Sequence, residues 1–165
     1  PPHAKVLLSL DEILFLTKEA PNLVGIKCAG GDESWYQKRR ELFHDFSVFV
    51  PGHTVVFGKP LGANGSYSNV ACLSPNGAVM IWNLIDIDIE KAKNIENKIN
   101  NFMKIHILPL ASRLSNTGLD KLLASVGGWG PISEEVLWPY EGATFKEVQK
   151  IKTIAKQELP ELFDV

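Results

Sequence analysis

Hydrophobic positions in the first part of the chain follow two alternating rhythms: short apolar runs, and longer stretches with a single apolar side. Leu23-Val24-Gly25-Ile26-Lys27 is a short run bounded by Pro21-Asn22 and Gly30-Gly31, which predicts a buried strand. Ser47 to Val50 is a second such run, stopped by Pro51-Gly52, and Ser66 to Ala71 predicts a third strand. Helices fall before and between them. Ser9-Leu10-Asp11-Glu12 is a capping box, and the helix it opens ends where Pro21 forbids continuation. Asp32 caps a second helix to about His44, with Trp35, Leu42 and Phe43 on its apolar side. A short helix from His53 or Thr54 closes at Pro60 and Gly62. Strands and helices alternating at this spacing predict parallel βαβ units.

After Ala71 the rhythm is helical only. Ser74-Pro75 reads as an N-cap with proline at the first helical position, opening an apolar helix to about Ile87. Ile89, Ala92, Ile95, Ile99, Met103 and His106 recur at helical spacing, predicting a long amphipathic helix bent near Pro109. Asn116 to Val126 is a further helix stopped by Gly127-Gly128, and the capping box Thr144-Phe145-Lys146-Glu147 opens a last one to about Glu158. The prediction is three parallel strand–helix units followed by a helical tail. Three strands cannot close a (β/α)8 barrel, which takes about 250 residues and carries its sites at the C-terminal ends of its strands.

Composition narrows the partners. With 45% hydrophobic residues the chain can bury a core, and a formal net charge of −2 provides no basic face for a nucleic acid. No apolar run reaches the roughly 18 residues of a membrane span, and no basic-then-apolar leader is visible. Cys28 and Cys72 are the only cysteines and read as reduced thiols, so a cytoplasmic location is expected. Asn64-Gly65-Ser66 matches a glycosylation acceptor by chance. The opening Pro1-Pro2, without an initiator Met, reads as a fragment or a processed product. His3, His44, His53 and His106 lack metal-ligand spacing, so neither metal nor cofactor is expected. Gly30-Gly31 between a strand and a helix could cradle a phosphate, but no Walker lysine-serine pair or dinucleotide fingerprint accompanies it.

Lys27 is the candidate for chemistry. Strand alternation puts it on one face with Gly25 and Leu23, and Val24, Ile26 and Cys28 on the other. In a barrel, Val24 and Ile26 face the helices and Lys27 enters the mouth, where Gly25 leaves it room. An amine there is partly desolvated, which favours its neutral, nucleophilic form. It can attack a ketone to give an iminium, an electron sink for carbon–carbon cleavage or β-elimination. Position alone does not single it out, because lysines at strand ends commonly snorkel to solvent.

The surroundings do. Pro21-Asn22-Leu23-Val24-Gly25-Ile26-Lys27, followed by a small-residue, acidic turn to Asp32, resembles the Schiff-base strand of the dihydrodipicolinate synthase and N-acetylneuraminate lyase family. Phe49-Val50-Pro51-Gly52-His53 is similar to the family's next strand and glycine turn, and Gly62-Ala63-Asn64-Gly65-Ser66-Tyr67-Ser68 to its eighth-strand signature. The resemblance extends through Asp120-Lys121-Leu122-Leu123 to Leu159-Pro160-Glu161. It implies an α/β fold: the C-terminal part of a (β/α)8 barrel over residues 1–87 and a helical extension over 88–165.

By the same resemblance Lys27 is the catalytic amine, and Gly52, His53, Gly65, Ser66 and Tyr67 line the substrate mouth, with backbone near Tyr67 orienting the amine or the bound acid. His53 is a candidate acid or base, or equally a solvent-facing residue at a helix start. The substrate implied is pyruvate or a longer 2-oxo acid. The family's carboxylate-binding turn and its proton-relaying tyrosine fall before Pro1, so turnover requires the N-terminal half of the barrel. Dihydrodipicolinate synthases carry an arginine two residues after the proline matched by Pro2; His3 and Ala4 stand here instead, which favours a 2-keto-3-deoxy sugar acid. Aldolase and dehydratase readings share the iminium and stay open, as do dihydrodipicolinate synthase proper and a non-enzymatic half-barrel module. The resemblance implies a homotetramer. Trp82, Trp129 and Trp138 are expected in core or subunit packing, and Cys28 in packing towards the helices.

Overall fold

The computed structural model describes residues 6–43 and 45–164. His44, the expected end of the second helix, and the Pro1–Lys5 stretch with its missing arginine lie outside them. The chain forms two compact units, Pro1–Tyr67 and Ser68–Val165.

The first unit holds a three-stranded parallel sheet in the order β1 (Gly25–Lys27), β2 (Ser47–Pro51), β3 (Gly65–Tyr67), with helices α1 (Leu10–Glu19), α2 (Glu33–Leu42) and α3 (Val55–Leu61). This is the architecture expected of part of a (β/α)8 barrel. The Ser9 capping box is formed: Glu12 N–H donates to Ser9 Oγ at 3.2 Å, and Ser9 N–H to Glu12 Oε2 at 2.7 Å. The helix so started buries Leu10 and Ile13 against Phe43 and Phe46, with Leu14, Ile26, Trp35 and Leu42 packed around them.

Register sorts the two faces of the sheet. Lys27 pairs with Phe49 and Phe49 with Gly65; one residue back, Ile26 pairs with Val48. Val48 and Val50 are fully buried on one face, while Phe49 on the other is 41% exposed. β1 begins two residues later than expected, because a turn closes from Leu23 N–H to Ala20 C=O and Val24 stays exposed. Gly25 is required by the neighbouring strand rather than by Lys27, since an added Cβ would sit 2.9 Å from the Ser47 carbonyl oxygen.

A buried arginine, not foreseen from the sequence, ties the unit together. Arg39 of α2 donates to the Phe46 carbonyl and, at 3.3 Å, to Asn64 Oδ1. The same oxygen accepts Val48 N–H at 2.9 Å, and Asn64 N–H donates to Val48 C=O at 2.7 Å.

The third strand is shorter than expected. It stops at Tyr67 because Ser68 adopts φ 59°, incompatible with strand backbone, and Asn69 then caps α4 (Val70–Leu73). The apolar run Val70-Ala71 fits a strand or a buried helix equally, and periodicity cannot choose over so few residues.

The second unit is helical: α4, α5 (Pro75–Ile87), α6 (Ile89–Phe102), α7 (Asn116–Gly127) and α8 (Phe145–Glu158). Ser74 caps α5 as predicted, accepting Gly77 N–H at 2.9 Å, and its hydroxyl donates to Leu162 C=O at 2.6 Å. Ala92, Ile95, Ile99 and Phe102 are buried along α6, but the next buried residue is Ile107 rather than Met103 or His106. A π-helical turn over Met103–Ile107 causes the change, advancing the buried face by five residues instead of four. A 3-10 turn over Leu108–Ser112 follows at the predicted bend. Trp129 and Trp138 are 52% and 92% exposed, so neither belongs to the core; Trp129 Nε1–H donates to Cys72 C=O at 2.7 Å.

Candidate functional site

Lys27, Pro51 and Tyr67 are the last residues of the three parallel strands, so the candidate chemistry collects at one end of the sheet. This is the end where parallel α/β folds carry their sites. Tyr67 lies on the third strand yet reaches the first. Its ring centroid is 4.2 Å from Lys27 Nζ, and its hydroxyl donates to the Cys28 carbonyl at 3.2 Å. Cys28 N–H in turn donates to Phe49 C=O at 3.0 Å, so the end of β1 is held from both β2 and β3.

Lys27 is exposed, against the expected partial desolvation. Its face of the three-stranded sheet carries few side chains. Phe49 lies over Gly65, within 2.8 Å of where a Cβ there would be, and the ammonium lies over the aromatic ring of Tyr67. Burial raises the Tyr67 phenol above its ordinary range, with a smaller contribution from Cys28. Burial likewise pushes the Cys28 thiol up, against a hydrogen bond from the Gly30 backbone. Both groups stay protonated at neutral pH. The half-buried Cys28 lies just past the end of β1.

The other predicted residues divide. Gly52 is buried and His53 half-buried in the 3-10 turn Gly52–Thr54 that leaves β2, closed by Thr54 Oγ1–H to Pro51 C=O at 3.0 Å. Gly65 pairs with Phe49 on the Lys27 face. Ser66 pairs with the buried Val50, so its side chain is on the opposite face and only its backbone remains available to a site at Lys27. Phe49 was missed although the signal was present: alternation with Val48 and Val50 puts it on the Lys27 side.

Packing accounts for the Gly30-Gly31 pair. Gly30 has φ 78°, and a Cβ there would meet the Tyr36 hydroxyl at 2.8 Å, while one at Gly31 would collide with Trp35. The start of α2 is already capped, Asp32 Oδ1 accepting Trp35 N–H at 2.9 Å. Among the described residues no group of three side chains could hold a metal ion, and no helix is long and apolar enough to cross a membrane. A cavity of about 390 Å³ is lined by second-unit residues, Ser74, Asn76, Trp129 and Phe163 among them, and includes none of the predicted site residues.

No model of a protein family matches this sequence, and no curated protein matches it. Solved structures do. The chain is similar to sialic acid aldolase from Ruminococcus gnavus at TM-score 0.74 and 16% identity, over 98% of this chain and 52% of that one. It is similar to dihydrodipicolinate synthase from Bacteroides thetaiotaomicron at TM-score 0.73 and 23% identity, over 95% and 53%. N-acetylneuraminate lyase from Fusobacterium nucleatum, complexed with pyruvate, matches at TM-score 0.67 and 20% identity, over 93% and 50%. The chain therefore spans about half the length of the solved structures it matches. At these identities the likeness is one of fold, and that fold is the one the sequence resemblance implied.

Proposed function

We propose that this chain is the C-terminal half of a class I, Schiff-base lyase of the dihydrodipicolinate synthase and N-acetylneuraminate lyase family, with Lys27 as the amine that captures a 2-oxo acid. One observation carries the reading. Lys27 stands at the C-terminal end of a parallel strand, in a fold shared with half of solved lyases of this kind, one of them complexed with pyruvate. Residues 1–87 supply the barrel portion and 88–165 the helical extension.

The chemistry follows from the amine. Its nitrogen attacks the ketone carbon of the acid to give a carbinolamine. Uptake of a proton and loss of water leave the iminium, C=N⁺ in place of C=O. In retro-aldol cleavage the bond between C3 and C4 breaks, its electrons move into the iminium to form an enamine, and the C4 hydroxyl loses its proton as it becomes a carbonyl. Protonation of the enamine at C3 and addition of water return pyruvate and the free lysine. A 2-keto-3-deoxy sugar acid is the substrate class, because His3 and Ala4 stand where an arginine clamp serves dihydrodipicolinate synthesis. Dehydration of the same acid through the same iminium is the second reading. Turnover needs the N-terminal half of the barrel, in a homotetramer of the cytoplasm.

Reduction with borohydride in the presence of pyruvate, followed by peptide mass spectrometry, tests the proposal. The expected result is an adduct on Lys27 that is absent from K27R. A folded chain supplied with its N-terminal half and still giving no adduct sinks it.

A further inference from the structure

The site contains a group for which the proposed chemistry has no assigned use, the aromatic ring of Tyr67. Its centroid is 4.2 Å from Lys27 Nζ, well inside the roughly 6 Å range over which a cation is attracted to a ring face. The ring is not free to swing away. Its hydroxyl is committed to the Cys28 carbonyl at 3.2 Å, and β3 is pinned by the pairing of Pro51 with Tyr67. Lys27 is exposed and flexible by nature, so the fixed ring is what gives its ammonium a preferred place.

We propose that Tyr67 is a positioning residue whose ring holds the Lys27 ammonium, and then the iminium, at the end of the sheet. The inference rests on the Schiff-base reading for its functional half only. Ammonium and iminium each carry one positive charge on the same nitrogen, so one ring face suits both states. The hydroxyl, engaged with a backbone carbonyl and protonated at neutral pH, anchors the ring and leaves the proton steps to other groups.

Two measurements separate this inference from the functional reading. Reductive methylation with ¹³C-formaldehyde converts each lysine amine to a dimethylamine that keeps its charge. Its methyl resonance reports the local ring current. The Lys27 resonance, identified by its loss in K27R, is expected upfield of the other lysines in the wild-type chain; a Lys27 resonance among the rest overturns the proposal without requiring any variant of Tyr67 to fold. The second measurement is the initial rate of borohydride trapping with pyruvate. Y67L is expected to trap about two- to fivefold more slowly, because an exposed cation–ring contact favours one placement of the amine by about that factor, with Y67F, which keeps the ring and loses its anchor, falling between the two. Equal trapping in a folded Y67L removes the functional half. If the wild-type chain supplied with its N-terminal half shows the upfield resonance but traps no pyruvate, the lyase reading falls and the hold of Tyr67 on Lys27 stands.

Discussion

The Tyr67 hydroxyl donates to the carbonyl of Cys28, so a residue of the third strand secures the first at the position immediately after Lys27. β2 runs between those strands, and the bond crosses over its end. Removing the hydroxyl alone, in Y67F, is expected to cost about 1 kcal/mol of stability, the net worth of one such bond. Urea unfolding checks this: the midpoint falls while the slope stays constant.

Arg39 and Asn64 offer a larger effect. Asn64 Oδ1 accepts from Val48 N–H and from Arg39, whose side chain is buried and also donates to Phe46 C=O. N64A removes the acceptor of two part-buried hydrogen bonds, at a cost of about 2 kcal/mol, about 1 for each. R39A strips the Phe46 carbonyl and the Asn64 amide together and should cost at least as much. Thermal unfolding of the two variants beside an exposed control, K93A, provides the comparison; a midpoint unchanged in both would show that the network contributes nothing.

Gly127 marks a close approach within the helical unit. A Cβ there would overlap the Leu73 carbonyl oxygen, and backbone cannot give way as a side-chain tip can. G127A is therefore expected to destabilise by about 1–3 kcal/mol. G130A, at a position whose nearest side chain is 3.9 Å from an added Cβ, should be close to neutral. Equilibrium unfolding of the pair reads the difference.

Glu147 sets an acid limit on the last helix. Its carboxylate accepts Thr144 N–H at 2.7 Å in the second capping box and meets Arg113 at 2.7 Å, and its pKa lies below the usual 4.5, the Thr144 backbone bond contributing most. A depressed folded pKa stabilises above the unfolded value and loses that contribution as pH falls through the folded one. Stability is expected to decline below about pH 4.5, with a shallower acid limb in E147Q, which is also less stable at pH 7. T144A should cost about 1 kcal/mol through loss of the cap. Denaturation midpoints between pH 3 and 7 decide both.

Local pattern was enough for most elements and for the lysine. Both capping boxes, the Ser74 cap, the Pro21 stop and the run around Val48 are short-range features, and each forms as read, while the run around Gly25 forms a strand from Gly25 only. Strand alternation alone placed Lys27 opposite Ile26 and sets Phe49 opposite Val48 and Val50; the pairing of Lys27 with Phe49 came only with the register. Where a choice depended on atoms distant in sequence, the pattern had no purchase. The end of β3 at Tyr67 depends on the left-handed backbone of Ser68, whose hydroxyl bonds Asp120 at 2.6 Å, and the π turn after Phe102 moves the buried face off Met103 and His106. The contact of Tyr67 with Lys27 joins strands forty residues apart in sequence. Apolar periodicity records which side of an element is buried; which partner arrives on that side, and how close, is decided only when the strands are in register.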